Sequence, residues 1–348
     1  MCYKDEQEQK RAQKFEKKIK GYPAYIKNFC LRIRGNSTKL TYLAAITHFL
    51  EWLKEKQIIE SLDCTELKKV TDTNLIEYSN ALLSGTIGGR KYKISTVLNK
   101  HAMLKAFWVF LQNNGWAETN IVNTLPKSLY KQERESIVRI PTTAERKKLI
   151  TGVLKKPSRF LRLRNIAILA LMAGTGLRSE ELLGCELHST YLSEDGSETS
   201  YVTTKRKGYL DIEHQVEIEP VAVQYIMPYF KMRQNMEADT DALFLSKNRK
   251  RLDKSGLDQI FSYNCPTIHA HMMRDLFATD LYTKTKDLVL VQKRLNHKNP
   301  GTTANMYISI KPERNFFSVL NSALEKQKPC KVLHNSLTEK GMLDILQI

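Results

Sequence analysis

The stretch from 161 to 173 constrains the fold of this chain more than any other. Ile166, Leu169, Ala170 and Ala173 lie on a helical run that is almost wholly apolar in its later turns, so the helix has no face for water and must be internal. It runs into Gly174-Thr175-Gly176, where glycine lets the chain turn sharply, and then into Leu177-Arg178. An arginine that emerges from a buried scaffold is held rigidly, which is what an electrostatic clamp requires. Further on stand His271-Met272-Met273-Arg274, Leu295-Asn296-His297 and Tyr307. With Arg178 these make two guanidiniums, two imidazoles and one phenol. Arginine stays charged and donates paired hydrogen bonds to phosphate oxygens, while a tyrosine oxygen can attack phosphorus and remain attached. His271 and Arg274 are spaced one helical turn apart, which predicts a shared face.

The order Arg178, His271-x-x-Arg274, Leu295-x-His297, Tyr307, with Thr302-Thr303 just before the tyrosine, resembles the tyrosine recombinase (phage integrase) family, and the resemblance covers most of the chain. Each box alone is weak, but four in the right order are strong. The resemblance implies a mostly α fold with a small antiparallel β-sheet: an N-terminal helical core-binding domain followed by an α+β catalytic domain. The expected division is a charged extension at 1–20, the core-binding domain at 21–125, a linker at 126–141, the catalytic domain at 142–328 and a tail at 329–348 that docks in cis or is exchanged between protomers.

Charge agrees with such a partner. The 348 residues carry 55 Lys+Arg against 37 Asp+Glu, a net +18, which favours a polyanion, nucleic acid before acidic lipid. A hydrophobic content of 42% is enough for real cores. The cysteines lie singly, without CxxC, and read as reduced thiols. No apolar run reaches membrane-spanning length and no signal-peptide pattern opens the chain, so a cytoplasmic location with no membrane partner is expected.

Along the N-terminal half, residues 1–20 are nearly all charged or amide-bearing and predict a frayed or exposed helix. Three helical patterns follow: Leu40 to Leu53 behind a Ser37-Thr38 cap, Leu75 to Leu83 capped by Asp72, and Val97 to Leu111 opening at Ser95. His101 falls on the apolar stripe of the third and reads as a satisfied core histidine rather than a functional one. Arg90, Lys91 and Lys93 precede that helix and are candidates for phosphate contact, each weighed against an ordinary solvated side chain. The stretch 121–141, with Lys127, Lys131 and Arg134, lacks periodicity and reads as the linker; Thr142-x-x-Glu145 predicts a capping box behind it.

After Arg178, Glu181 stands close enough to orient a neighbouring guanidinium or imidazole, and by resemblance occupies an acidic supporting position; a plain helix-surface pair is the alternative. Strand patterns then appear at Thr190–Leu192, Tyr201–Thr204 and Val216–Ile218, with a turn at Asp195-Gly196. Helices are expected at 221–232 and 256–263. The family's hairpin lysine corresponds to Lys205, with Lys207 as the alternative. Three departures from the family pattern stand out: Asp275 where many relatives have a second histidine, Asn296 where glycine is usual, and Tyr307 ten residues after His297, one more than expected.

The resemblance implies cleavage of double-stranded DNA recombination sites by a tetramer on synapsed duplexes, with no metal or other cofactor. Arg178 and Arg274 would hold the phosphoryl oxygens, His297 donate to them, Tyr307 attack, Lys205 protonate the leaving 5′ oxygen and His271 assist proton transfer. A type IB topoisomerase would share the chemistry, and a DNA-binding regulator would share the charge but have no use for the full polar set. A metal-dependent nuclease is a poor third, since no Asp/Glu/His cluster at ligand spacing is evident in the sequence.

Overall fold

Helices dominate the computed structural model, which describes residues 3–126, 139–205, 213–296 and 315–326. The chain divides into two compact units, Met1–Glu135 and Ser136–Ile348.

The first unit contains α1 (Tyr3–Ile19), α2 (Ala24–Leu31), α3 (Asn36–Glu55), α4 (Asp72–Ser84) and α5 (Ile94–Asn113). The periodic apolar positions of α3, α4 and α5 converge on one core, in which Phe29, Phe49, Phe107 and Trp108 are buried. Phe29 meets Phe107 edge-on at 5.1 Å between centroids, and Phe49 lies 5.8 Å from Trp108, so the rings interlock as well as bury area. His101 is buried and shares a 2.7 Å hydrogen bond with Ser79 Oγ, and burial lowers its pKa to about 4. It is the core histidine expected.

Three helix starts differ from the sequence reading. Gly35, at φ 80°, precedes α3 in place of a Ser37-Thr38 cap. Thr71, not Asp72, caps α4 through a reciprocal box with Asn74. Lys93 precedes α5, which opens at Ile94. More consequential is α1. Expected to be frayed or exposed, it packs on α3 and buries Phe15 and Ile19 at 2% exposure each. Two apolar residues one turn apart suffice to dock an otherwise charged helix.

The second unit is built around α7 (Arg159–Thr175), with α6 (Thr143–Leu154), α9 (Pro220–Gln234) and α11 (Ala270–Thr285) packed on it. Every side chain from Leu161 to Thr175 is buried, as the apolar pattern requires. That burial includes two arginines: Arg162 donates to the carbonyls of Lys156 and Pro157, and Arg164 to Leu245 O and Asn165 Oδ1. The Thr142/Glu145 capping box opens α6 as predicted.

After the short α8 (Ser179–Leu183) comes an antiparallel sheet of β1 (Thr190–Tyr191), β2 (Tyr201–Lys205) and β3 (Glu213–Glu217), in that spatial order. The third strand begins earlier than its apolar residues suggest, because Glu213 and His214 pair with Lys205 and Thr204. α10 (Lys254–Ser262), α12 (Leu288–Leu295) and α13 (Phe316–Glu325) complete the described elements. Among the described residues no helix is long and apolar enough to cross a membrane.

Candidate active site

Gly176 ends α7 in the left-handed conformation, at φ 65°, and a Cβ there would strike the ring of Phe277 on α11. Glycine is therefore required twice over, for the turn and for the approach of α11. Two residues later Arg178 forms the N-cap of α8. Its backbone N–H donates to Glu181 Oε2 at 2.9 Å and its Nη1 to Glu181 Oε1 at 3.0 Å. Glu181 is buried, while the Arg178 side chain keeps 28% exposure. One carboxylate thus fixes both ends of Arg178 and leaves the guanidinium accessible, so the guanidinium that Glu181 was expected to orient is that of Arg178.

Arg274 lies on α11 and is 2% exposed. Its Nη1 donates to Gly176 O at 2.6 Å and its Nη2 to Leu295 O at 2.5 Å. Three of the four sequence boxes meet in this one side chain: the turn before Arg178, the helix bearing His271, and the end of α12 before His297. His271 itself is exposed on the first turn of α11. The shared face expected for His271 and Arg274 is thus split by burial: His271 is exposed although Ala270, Met272 and Met273 around it are buried.

Asn296, one of the departures from the family pattern, has φ 53° and ψ 51° as the C-cap of α12. The position needs a left-handed backbone, which explains why glycine is usual there and why asparagine, the side chain that best tolerates that region, replaces it. Asp275 is buried within α11.

Lys205 ends β2 opposite Glu213. The residue before it, Thr204, is buried and donates from Oγ1 to Glu181 O at 2.9 Å. That bond ties the end of the lysine strand to the helix that positions Arg178. Sequence reasoning missed Thr204; the only signal was its inward place in the strand alternation. Arg206, Lys207, His297, Thr302, Thr303 and Tyr307 lie outside the described residues, as do Lys127, Lys131 and Arg134 of the expected linker and the apolar run after 329.

One grouping is invisible in the linear sequence. Glu186, His188 and Asp241 bring ligand-type atoms within 4.8 Å of one another. These groups are already engaged, Glu186 with Arg251 at 3.2 Å and His188 with Asp241, whose hydrogen bond raises the histidine pKa.

Comparison with known proteins bears on the family and the fold. The model of the phage integrase family matches residues 130–314. A tyrosine recombinase XerC of Listeria monocytogenes serotype 4b (strain F2365) is 26% identical over 279 residues, covering 77% of this chain and 85% of the relative. A second XerC, from Shewanella sp. (strain ANA-3), is 31% identical over 159 residues, or 43% of this chain and 50% of the relative. Among solved structures, the XerH site-specific recombinase bound to palindromic difH substrate in a post-cleavage complex has a TM-score of 0.59 at 21% identity, covering 84% of this chain and 79% of that one. A lambda integrase dimer bound to a COC′ core site has a TM-score of 0.58 at 15% identity, covering 83% and 80%. These likenesses establish a shared fold, and the family match covers more than half of the sequence: the chain belongs to the phage integrase family, the tyrosine recombinases.

Proposed function

We propose that this protein is a site-specific DNA recombinase that cuts and rejoins duplex DNA through a 3′-phosphotyrosyl intermediate. The observation that carries the reading is the meeting of Gly176, Arg274 and Leu295 around one buried guanidinium, beside an Arg178 fixed by Glu181. Arg178 and Arg274 act as the phosphate clamp. The two carbonyls hold the Arg274 guanidinium, whose charge persists at any working pH, in one fixed place. Charge accumulates on the non-bridging oxygens as phosphorus becomes five-coordinate, and fixed guanidiniums stabilise it without reorganising.

Tyr307 attacks phosphorus with its phenolic oxygen, and the bond to the 5′ oxygen breaks. Lys205 gives that oxygen its proton, with Lys207 the alternative donor; His271 and His297 assist at the nucleophile and phosphate. The phosphodiester is exchanged for a phosphotyrosyl ester, so the step balances without ATP, and attack by a 5′ hydroxyl reverses it. Met1–Glu135 serves as the core-binding unit, with Arg90, Lys91 and Lys93 on phosphates, and Ser136–Ile348 as the catalytic unit. The DNA-bound XerH and lambda integrase neighbours support duplex sites as substrate, and pairing of two sites calls for a tetramer on synapsed DNA. The free thiols of Cys30, Cys64, Cys185 and Cys265 suit the cytoplasm.

Trapping on nicked suicide substrates tests the chemistry. Wild type should leave a covalent protein–DNA band and Tyr307→Phe none; an undiminished band in that variant removes Tyr307 from the role. Lys205→Ala should be nearly inactive on ordinary DNA but recover on a 5′-bridging phosphorothiolate, whose sulfur leaves without a proton. Recovery seen instead for Lys207→Ala would move the acid two residues along. Recombinant products from two sites would separate a recombinase from a topoisomerase.

A further inference from the structure

The loop before α5 is built more firmly than a basic linker needs to be. Gly85 caps α4 in the left-handed conformation at φ 85°, and a Cβ there would crowd Lys91 Cγ at 2.9 Å. Tyr92 donates its backbone N–H to Leu82 O at 2.9 Å and rests its ring against the core. Two cations share that ring: the Arg90 guanidinium at 5.4 Å from the centroid and Lys100 Nζ, from the second turn of α5, at 5.9 Å.

Lys100 is only partly exposed, and burial alone lowers its pKa. No carboxylate is paired with it among the described residues. Burial, and then the charge of Lys100, keep His48 towards its neutral form against the opposing pull of Glu51 and Glu55. A half-buried ammonium with an aromatic ring and no carboxylate paired to it among the described residues is unfavourable, and an anion arriving from outside would complete it.

We propose that Lys100 is a further DNA-contacting residue, forming with Arg90 a two-cation seat for backbone phosphate on the ring of Tyr92. This rests on the DNA reading above and extends it to a residue concealed within an apolar helical run. The seat is sequence-independent, because phosphate contacts fix position rather than read bases.

The test is the salt dependence of full-length protein binding to a duplex of arbitrary sequence. Each phosphate contact contributes about 0.9 to the slope of log affinity against log salt. Lys100→Met, which keeps the packing stem and removes the charge, should lower the slope by about that amount, while Lys100→Arg keeps it. Lys100→Met should also melt no lower than wild type, since an uncompensated charge has gone. An unchanged slope in Lys100→Met, an equal loss in Lys100→Arg, or a lower melting temperature in Lys100→Met overturns the proposal. Absence of salt-dependent DNA binding by the wild type would instead defeat the functional reading on which the proposal depends.

Discussion

Arg178 and Arg274 are chemically the same side chain in opposite situations. Arg178 is partly exposed with a carboxylate behind it; Arg274 is buried with carbonyls on two sides. Arg178→Ala should reduce cleavage by orders of magnitude with a modest loss of DNA affinity, and should also take from the buried carboxylate of Glu181 its guanidinium counter-charge, leaving the backbone N–H on Oε2. Adding Glu181→Gln should therefore restore thermal stability but not cleavage; recovery of both would make Arg178 a structural residue. Arg274→Ala leaves two buried carbonyls without these donors, at about 1–3 kcal/mol each, so here cleavage and the urea midpoint should fall together. An Arg274→Ala protein as stable as wild type would contradict the carbonyl contacts.

At the level of elements, local signals were legible and long-range ones were not. The apolar later turns of α7, its glycine ending and the Thr142/Glu145 box could be read directly, because each depends on neighbours within a turn or two. The docking of α1 through Phe15, the Thr204 bond to Glu181 and the Arg274 bonds to Gly176 and Leu295 join distant segments, and no spacing rule exposes them. Asn296 lies between these cases: the sequence showed a departure, and the backbone gave its reason. Asn296→Gly should leave stability within about 0.5 kcal/mol, whereas the β-branched Asn296→Val should cost about 1–2 kcal/mol in urea unfolding, since its Cβ resists the left-handed region. Equal stability of the two variants would mean that the turn relaxes.

Across the second unit, α11 also holds the start of α13: the Phe316 N–H donates to Asp280 Oδ2 at 3.2 Å. Burial pushes the Asp280 carboxyl up from 3.8 to about 6. Because the folded state then binds the proton more tightly than the unfolded one, this contribution is complete below the unfolded value and is lost as pH rises through about 6. Asp280→Asn should abolish that decline and raise stability at pH 7.5 by on the order of 2 kcal/mol, read from urea midpoints between pH 4 and 7.5. A pH profile unchanged by the substitution would show that Asp280 titrates normally. The Arg274 contacts have a consequence in time as well as in space. The chain is synthesised from its N-terminus, and the guanidinium at 274 needs carbonyls at 176 and 295, so in a nascent protein the proposed phosphate clamp stays unfinished until α12 has left the ribosome. A half-made chain can carry the charge that attracts DNA, but it lacks the assembled centre proposed to break it.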